Sequence, residues 1–174
     1  MRFKARTTRP GALLYTGLCT VALAFSLACH RSNKGPSSVI NVADPATANQ
    51  LLSGFYNVES NRWRWTNQDF SVALKPPPGG EQKGATLRLH LFIPDSQLKK
   101  LGPMTLSAEL DGHPLGPETF SKEGSYIYAR DIPGDALRSD LIPVTFSLDK
   151  AAPPSAQDSR ELGAVVTSIE LQSK

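Results

Sequence analysis

The stretch Ala85-Thr-Leu-Arg-Leu-His-Leu-Phe-Ile93 decides how the chain folds. Leu87, Leu89, Leu91 and Ile93 fall on one face of it, and Pro94 stops the run. A period of two held over a run of that length is a strand with one side buried. The same period recurs to either side. Phe70-Ser-Val-Ala-Leu74 alternates before Lys75-Pro-Pro-Pro-Gly-Gly80 breaks it, and Pro76 to Pro78 read as an inter-strand loop. Leu106, Ala108 and Leu110 alternate ahead of Asp111-Gly112, a hairpin-turn signal. Tyr126 to Arg130, Val144-Thr-Phe-Ser-Leu148 and Val165 to Leu171 complete the set. One short N-terminal helix is expected over Ala46 to Leu52, with Asp44 as its cap, Pro45 in its first turn and Gly54 ending it. Short strands parted by Gly/Pro turns, with too few helices for a parallel α/β sheet, predict an all-β fold. The expected architecture is a two-sheet antiparallel sandwich, jelly-roll-like.

Ahead of that domain lies a leader. Arg2, Lys4, Arg6 and Arg9 form a basic start, Gly11 to Ala28 carries no charge, and Cys29 follows Ser26-Leu27-Ala28. This is the layout of an export signal. Ser26 and Ala28 suit an ordinary signal peptidase. Cys29 suits the lipoprotein route, in which the thiol takes a diacylglycerol. The match to a bacterial lipobox is partial, because Ser26 stands three residues before the cysteine where leucine is usual and Leu27 comes one place later. An uncharged run of roughly 18 residues can also just cross a bilayer, so an uncleaved anchor and a free secreted protein stay open. The expectation is lipid attachment at Cys29, with 1–28 as signal or anchor, 29–43 as a flexible tether and 44–174 as the β-domain. Two acyl chains would hold firmly, since each buried methylene contributes about 0.8 kcal/mol.

The leader also carries the charge. The chain is +3 overall, but four of its nineteen Lys and Arg lie in the leader. From Cys29 onward fifteen basic residues face sixteen acidic ones, so the exported part is close to neutral. That removes the basic stripe a nucleic-acid partner would need. The second of the two cysteines, Cys19, lies inside the apolar run, so no internal disulfide is expected in the exported domain. Its stability must come from its core, which roughly 130 residues can supply.

Gly54-Phe-Tyr-Asn-Val-Glu59, followed by Arg64-Trp-Thr66, resembles the opening of a jelly-roll β-sandwich domain found in bacterial envelope lipoproteins and uncharacterised exported proteins and appended to some glycosyltransferases. Asp158-Ser-Arg160-Glu161-Leu-Gly163 resembles its closing segment, and Asp111-Gly-His-Pro-Leu115 its short hairpin. The resemblance implies a fold similar in shape to carbohydrate-binding jelly rolls. Fold alone carries no function across.

Trp63 and Trp65 share one face of a strand, and Arg62, Arg64 and Thr66 share the other. Flat sugar faces stack on indoles, which makes the pair a glycan-binding candidate. Burying two arginines demands bonded partners, whereas each buried Trp removes roughly 150–250 Å² from water, worth several kcal/mol at about 25 cal/mol per Å². The tryptophans are therefore expected inside, as structural residues. Attention then moves to outward faces. Arg88, His90 and Phe92 lie opposite the leucine stripe, while Tyr126, Tyr128 and Arg130 share a face. If those strands are neighbours, the six would form an aromatic, hydrogen-bonding patch able to grip a sugar or a peptide. Asp158, Arg160 and Glu161 read as a structural cluster fixing a loop through ion pairs, with Glu59 as a distant partner.

Catalysis finds little support. His30, His90 and His113 are isolated, no spacing of His, Cys or carboxylates marks a metal, and no nucleophile elbow is present. No cofactor is expected. Carboxylate pairs for glycoside cleavage need only spatial closeness, which leaves a cell-wall hydrolase as a distant third possibility. The first expectation is a non-catalytic lipoprotein of the bacterial cell envelope. It would be extracytoplasmic and membrane-anchored, with a sandwich that binds a glycan or another extracytoplasmic ligand. The alternative is a structural or assembly lipoprotein docking onto an envelope protein.

Overall fold

An eleven-residue strand shared by two sheets organises the domain. In the computed structural model, which describes Met1 and residues 35–174, the strands are β1 (Val39–Asn41), β2 (Leu51–Phe55), β3 (Arg64–Leu74), β4 (Ala85–Ile93), β5 (Met104–Leu110), β6 (His113–Phe120), β7 (Gly124–Ile132), β8 (Ile142–Leu148) and β9 (Val165–Ser173). Every pairing is antiparallel. One sheet runs β2-β3-β8-β5-β6 and the other β1-β9-β4-β7, with β3 common to both. From Asp69 to Leu74 it pairs with β8, while Arg64 and Trp65 pair with Val166 and Val165 of β9.

The fold is the all-β, two-sheet antiparallel sandwich expected. β4 shows why, since Ala85, Leu87, Leu89, Leu91 and Ile93 are all buried and the residues between them are not. Phe70, Val72 and Leu74 of β3 and Val144, Phe146 and Leu148 of β8 meet them from the other sheet. Phe70 stacks on Phe146 at 5.0 Å, and Tyr128 meets the Phe146 ring edge-on at 6.4 Å. Asp111 and Gly112 have φ of 47° and 82°, the left-handed pair of a two-residue hairpin, and join β5 to β6.

Three expectations need correction. The folded domain begins before residue 44. Ile40 and Val42 are fully buried, and β1 pairs with β9 through Val39, Ile40 and Asn41, so the tether gives way to the domain earlier than drawn. The signal segment, Cys29 and the tether as far as residue 34 lie outside the described residues. Second, the short helix is a 3-10 helix over Pro45–Gln50, capped as expected by Asp44, whose carboxylate accepts from Ala46 N–H at 2.8 Å. Gly54 does not end it. That residue lies inside β2 at φ 76°, where a Cβ would overlap the Asp69 carbonyl oxygen and lie 2.6 Å from Phe70 Cα. Third, Gly80–Lys83 (α1), Asp95–Leu101 (α2) and a 3-10 turn at Gly134–Leu137 add helical segments that the strand periodicity does not announce. No helix among the described residues is long and apolar enough to cross a membrane.

Candidate functional site

β4 and β7 are neighbours, but their register separates the six residues expected to form one patch. Leu89 faces Tyr128 and Leu91 faces Tyr126 across the pair, so the tyrosines share the leucines' inward face. Arg88, His90 and Phe92 face Ala129, Ile127 and Ser125 on the outer surface. Tyr128 is 0% exposed, and burial pushes its phenol above the ordinary value. Its hydroxyl donates to Gly116 O at 2.7 Å. Arg130 donates to Gly116 O and Pro117 O and pairs with Glu118 at 3.1 Å. Tyr128 and Arg130 therefore bridge β7 to β6, the edges of the two sheets, and Tyr126 packs on Phe120 with ring centres 4.6 Å apart. On the outer face Arg88 and His90 both approach Glu170, at 3.5 and 3.8 Å.

The tryptophans are the second correction. Thr66 is 0% exposed and Arg64 points the same way, so Trp63 and Trp65 lie on the outer face, half-buried. Their rings meet edge-on, 6.2 Å apart at 82°. The objection to an inward arginine fails because Arg64 finds bonded partners in the backbone, donating to Val42 O and Tyr56 O, both at 2.7 Å. The face was readable from the period. Phe70, Val72 and Leu74 point inward, and stepping back by twos through β3 reaches Thr66 and Arg64, not the tryptophans. Trp65 pairs with Val165, which pairs in turn with Phe92, so two aromatic residues flank Val165 on one outer surface.

Arg160 stands beside this pair. Asp158 receives it through both carboxylate oxygens, Glu59 accepts from it at 2.7 Å, and its guanidinium lies 5.2 Å from the Tyr56 ring centre. The side-chain bond from Arg160 holds the Asp158 carboxyl down at about 2, while the carboxylates push Arg160 up. Glu59 is carried on a turn whose central residues, Ser60 and Asn61, have φ of 50° and 52°, and which closes through mutual backbone bonds between Glu59 and Trp63. Glu161 is not in the cluster. Its carboxylate accepts from Gln68 N–H at 2.8 Å and fixes the last loop to β3.

Between α2 and the β8–β9 connection lies a cavity of about 240 Å³, lined by Trp65, Gln97, Lys100, Ala152, Arg160 and Leu162, among others. Lys150 holds its walls together, with Nζ donating to Leu101 O and Pro103 O. It combines a half-buried indole, small apolar groups, amide and hydroxyl functions and one ammonium, which is what a polar ring compound would need. α2, and with it this cavity, was missed because Pro94 read only as a strand stop. The sequence Asp95-Ser-Gln-Leu-Lys-Lys-Leu101 ahead of Gly102 does carry a helix signal. Among the described residues no group of three or more potential metal ligands gathers.

No protein-family model and no curated protein matches the chain. Among solved structures it is similar to the CBM36-1 domain of a multidomain xylanase from the hindgut metagenome of Trinervitermes trinervoides, at 10% identity over 78% of this chain and 96% of that one, with a TM-score of 0.42. It is similar also to a family 35 carbohydrate-binding module from Clostridium thermocellum, at 12% identity over 78% and 98%, again with a TM-score of 0.42. The sandwich architecture stands on the strand pairing described above, independently of these superpositions.

Proposed function

We propose that the chain is a non-catalytic lipoprotein of the bacterial cell envelope. Cys29 tethers it to a membrane outside the cytoplasm, and its sandwich binds a glycan. The observation that carries this is the Trp63–Trp65 pair, left half-exposed on an outer face beside a cavity lined with hydrogen-bonding groups. Inward positions were available along the same strand and went to Thr66 and Arg64. Large apolar rings kept at the surface next to polar groups are the arrangement that takes an apolar sugar face and its hydroxyls together. A non-catalytic role is supported by Asp158, the carboxylate lining that cavity. It is ionised and bound on both oxygens by Arg160, so it is a poor proton donor and its lone pairs are engaged.

A structural or assembly role, docking onto an envelope protein, is favoured by one observation. Ile127 is 44% exposed next to Phe92, where both line a shallow recess on the outer face of β4 and β7. Co-sedimentation of the full chain with purified envelope polysaccharide separates the two. Retention on the polysaccharide supports the first, and a chain that captures protein but leaves the polysaccharide unbound rejects it. For the tether, acyl labelling of wild type against Cys29→Ala is expected to lose the label in the variant; equal labelling would reject Cys29 as the lipid site.

A further inference from the structure

The chain enters the folded domain at one end of the sandwich. Ser37 O accepts from Lys75 N–H at 3.1 Å and Ser38 O from Leu171 N–H at 2.8 Å, which sets the entry where β3 and β9 finish. β4 starts at this end, with Ala85 paired to Ser173, and finishes at the other, with Phe92 paired to Val165 beside Trp65. Trp65, Arg160 and the cavity they share therefore occupy the pole opposite the entry.

Chain length limits how such a domain can face a membrane. Drawn straight, the backbone from Cys29 to Ser37 spans at most about 29 Å. β4, from Ala85 to Ile93, covers about 26 Å. With Cys29 at the headgroups, turning the tryptophan pole to the bilayer would use nearly all of that span, stretched along the side of the sandwich. Resting on the entry pole asks for no such ordering of the chain.

The entry pole also carries its own charges. A cavity of about 300 Å³ opens there, lined by Lys75, Arg138, Glu81 and Asp140 together with Ser139 and the proline loop. All four charged side chains are exposed, and none has an ion-pair partner among the described residues. Cations alone would select an anionic surface, which Glu81 and Asp140 here would repel. Two cations beside two carboxylates select a partner that bears both signs on one short group, a phosphate and an ammonium. Leu141, next in the chain and 42% exposed, adds an apolar contact at headgroup depth.

We propose that the domain stands on the bilayer by this entry pole, seating zwitterionic phospholipid headgroups whose phosphate meets Lys75 and Arg138 and whose ammonium meets Glu81 and Asp140. The Trp63–Trp65 pole is thereby held outward. This rests on lipid attachment at Cys29 and adds a second contact with the membrane.

The test uses the full chain, exported and acylated, in vesicles of phosphatidylethanolamine with a minor share of phosphatidylglycerol, some headgroups carrying a nitroxide quencher. With the leader removed and the Cys29 thiol acylated, an introduced cysteine alone takes a fluorophore. Ser139→Cys, at the entry pole, should be quenched several-fold more than Ser96→Cys, in the wall of the opposite cavity. Trp63 and Trp65 are the chain's two tryptophans, so wild-type fluorescence should stay unquenched without any variant. Adding Lys75→Gln and Arg138→Gln should lower the Ser139 quenching by about twofold or more. Vesicles of phosphatidylglycerol alone, which lack the ammonium, should do the same. Equal quenching at the two positions, quenched tryptophans, or a Ser139 signal that survives either change would each overturn the headgroup seat. Acyl labelling of the same preparation separates the failures. A labelled chain with any of those results loses the seat alone, whereas an unlabelled chain loses the tether and the seat with it.

Discussion

The Arg130 guanidinium lies 4.0 Å from the centre of the Tyr128 ring, and both side chains donate to the same carbonyl, that of Gly116. One acceptor on β6 thus receives two donors from β7, joining the sheets where their edge strands run past each other. Edges left open invite pairing with other chains, and here side chains take the place of a backbone ladder. Tyr128→Phe keeps the ring and the cation–π contact and loses only the hydroxyl, so it should cost about 1 kcal/mol in urea unfolding. Arg130→Ala loses the bonds to Gly116, Pro117 and Glu118 and should cost about 1–2 kcal/mol. The double variant should fall short of the sum, because the pair interacts directly. Strict additivity would show that the two act independently.

The same tyrosine predicts an alkaline limb. Burial raises the folded-state pKa of Tyr128 above its ordinary 10.0. A raised value means that the stabilisation is complete below the unfolded pKa and is lost as pH rises beyond it, because the unfolded chain then ionises first. Stability should therefore fall above pH 10 more steeply in wild type than in Tyr128→Phe. Parallel slopes would mean that the phenol is free to ionise in the folded protein.

At the acid end the sign reverses. Arg160 depresses Asp158 from its ordinary 3.8 to about 2. A depressed carboxyl contributes stability that is present above the unfolded value and is lost as pH falls through the folded one. Melting curves collected between pH 4 and pH 2 should show wild type losing an increment that Asp158→Asn lacks throughout. Because the pair is partly exposed, the increment should shrink in high salt. An identical acid limb in the variant would mean that Arg160 holds the loop through Glu59 alone.

Gly54 and Gly79 share a φ of 76° and make a controlled comparison. Around Gly79 a Cβ meets nothing within 4 Å, so Gly79→Ala should cost only the left-handed strain, about 1–2 kcal/mol. At Gly54 the added methyl would strike the Asp69 carbonyl and the Phe70 backbone, so Gly54→Ala should cost more than about 3 kcal/mol or fail to fold. Equal effects would mean that β2 can move away from β3.

Those glycines also mark what was legible in the chain. The alternation of Leu87 to Ile93 and the Asp111-Gly112 turn announced β4 and the β5–β6 joint, because each is a local pattern with one structural answer. Gly54 could not be placed locally. Its need for a missing side chain comes from Asp69 and Phe70, partners brought in by tertiary pairing. The hairpin turn at Asp111-Gly112 implied a strand after it, but none was assigned over His113–Phe120, where Pro114, Gly116 and Pro117 interrupt any alternation. Prolines are tolerated in a strand paired on one side only, and among the described residues β6 pairs with β5 alone. The face of Tyr126, Tyr128 and Arg130 was within reach, since the same alternation runs on to Ile132, which is 1% exposed. The face of Trp63 and Trp65 was lost to an energy argument that asked bonded partners of an inward arginine and did not count the backbone carbonyls of Val42 and Tyr56, which supply them.

That reversal for the tryptophans can be measured directly. Were Trp65 a core residue, Trp65→Ala would cost about 3–5 kcal/mol. Half-buried on the outer face, it should cost clearly less, with the melting transition still cooperative. Binding should respond differently, because a partly exposed indole at the mouth of a cavity is the kind of side chain on which affinity concentrates. Trp65→Ala is expected to weaken retention on envelope polysaccharide by at least about tenfold. Trp63→Phe, which keeps an aromatic ring beside Trp65, should weaken it far less. A Trp65→Ala chain that unfolds at core cost while the folded fraction keeps full affinity would return Trp65 to a purely structural role and remove the ridge on which the glycan reading stands.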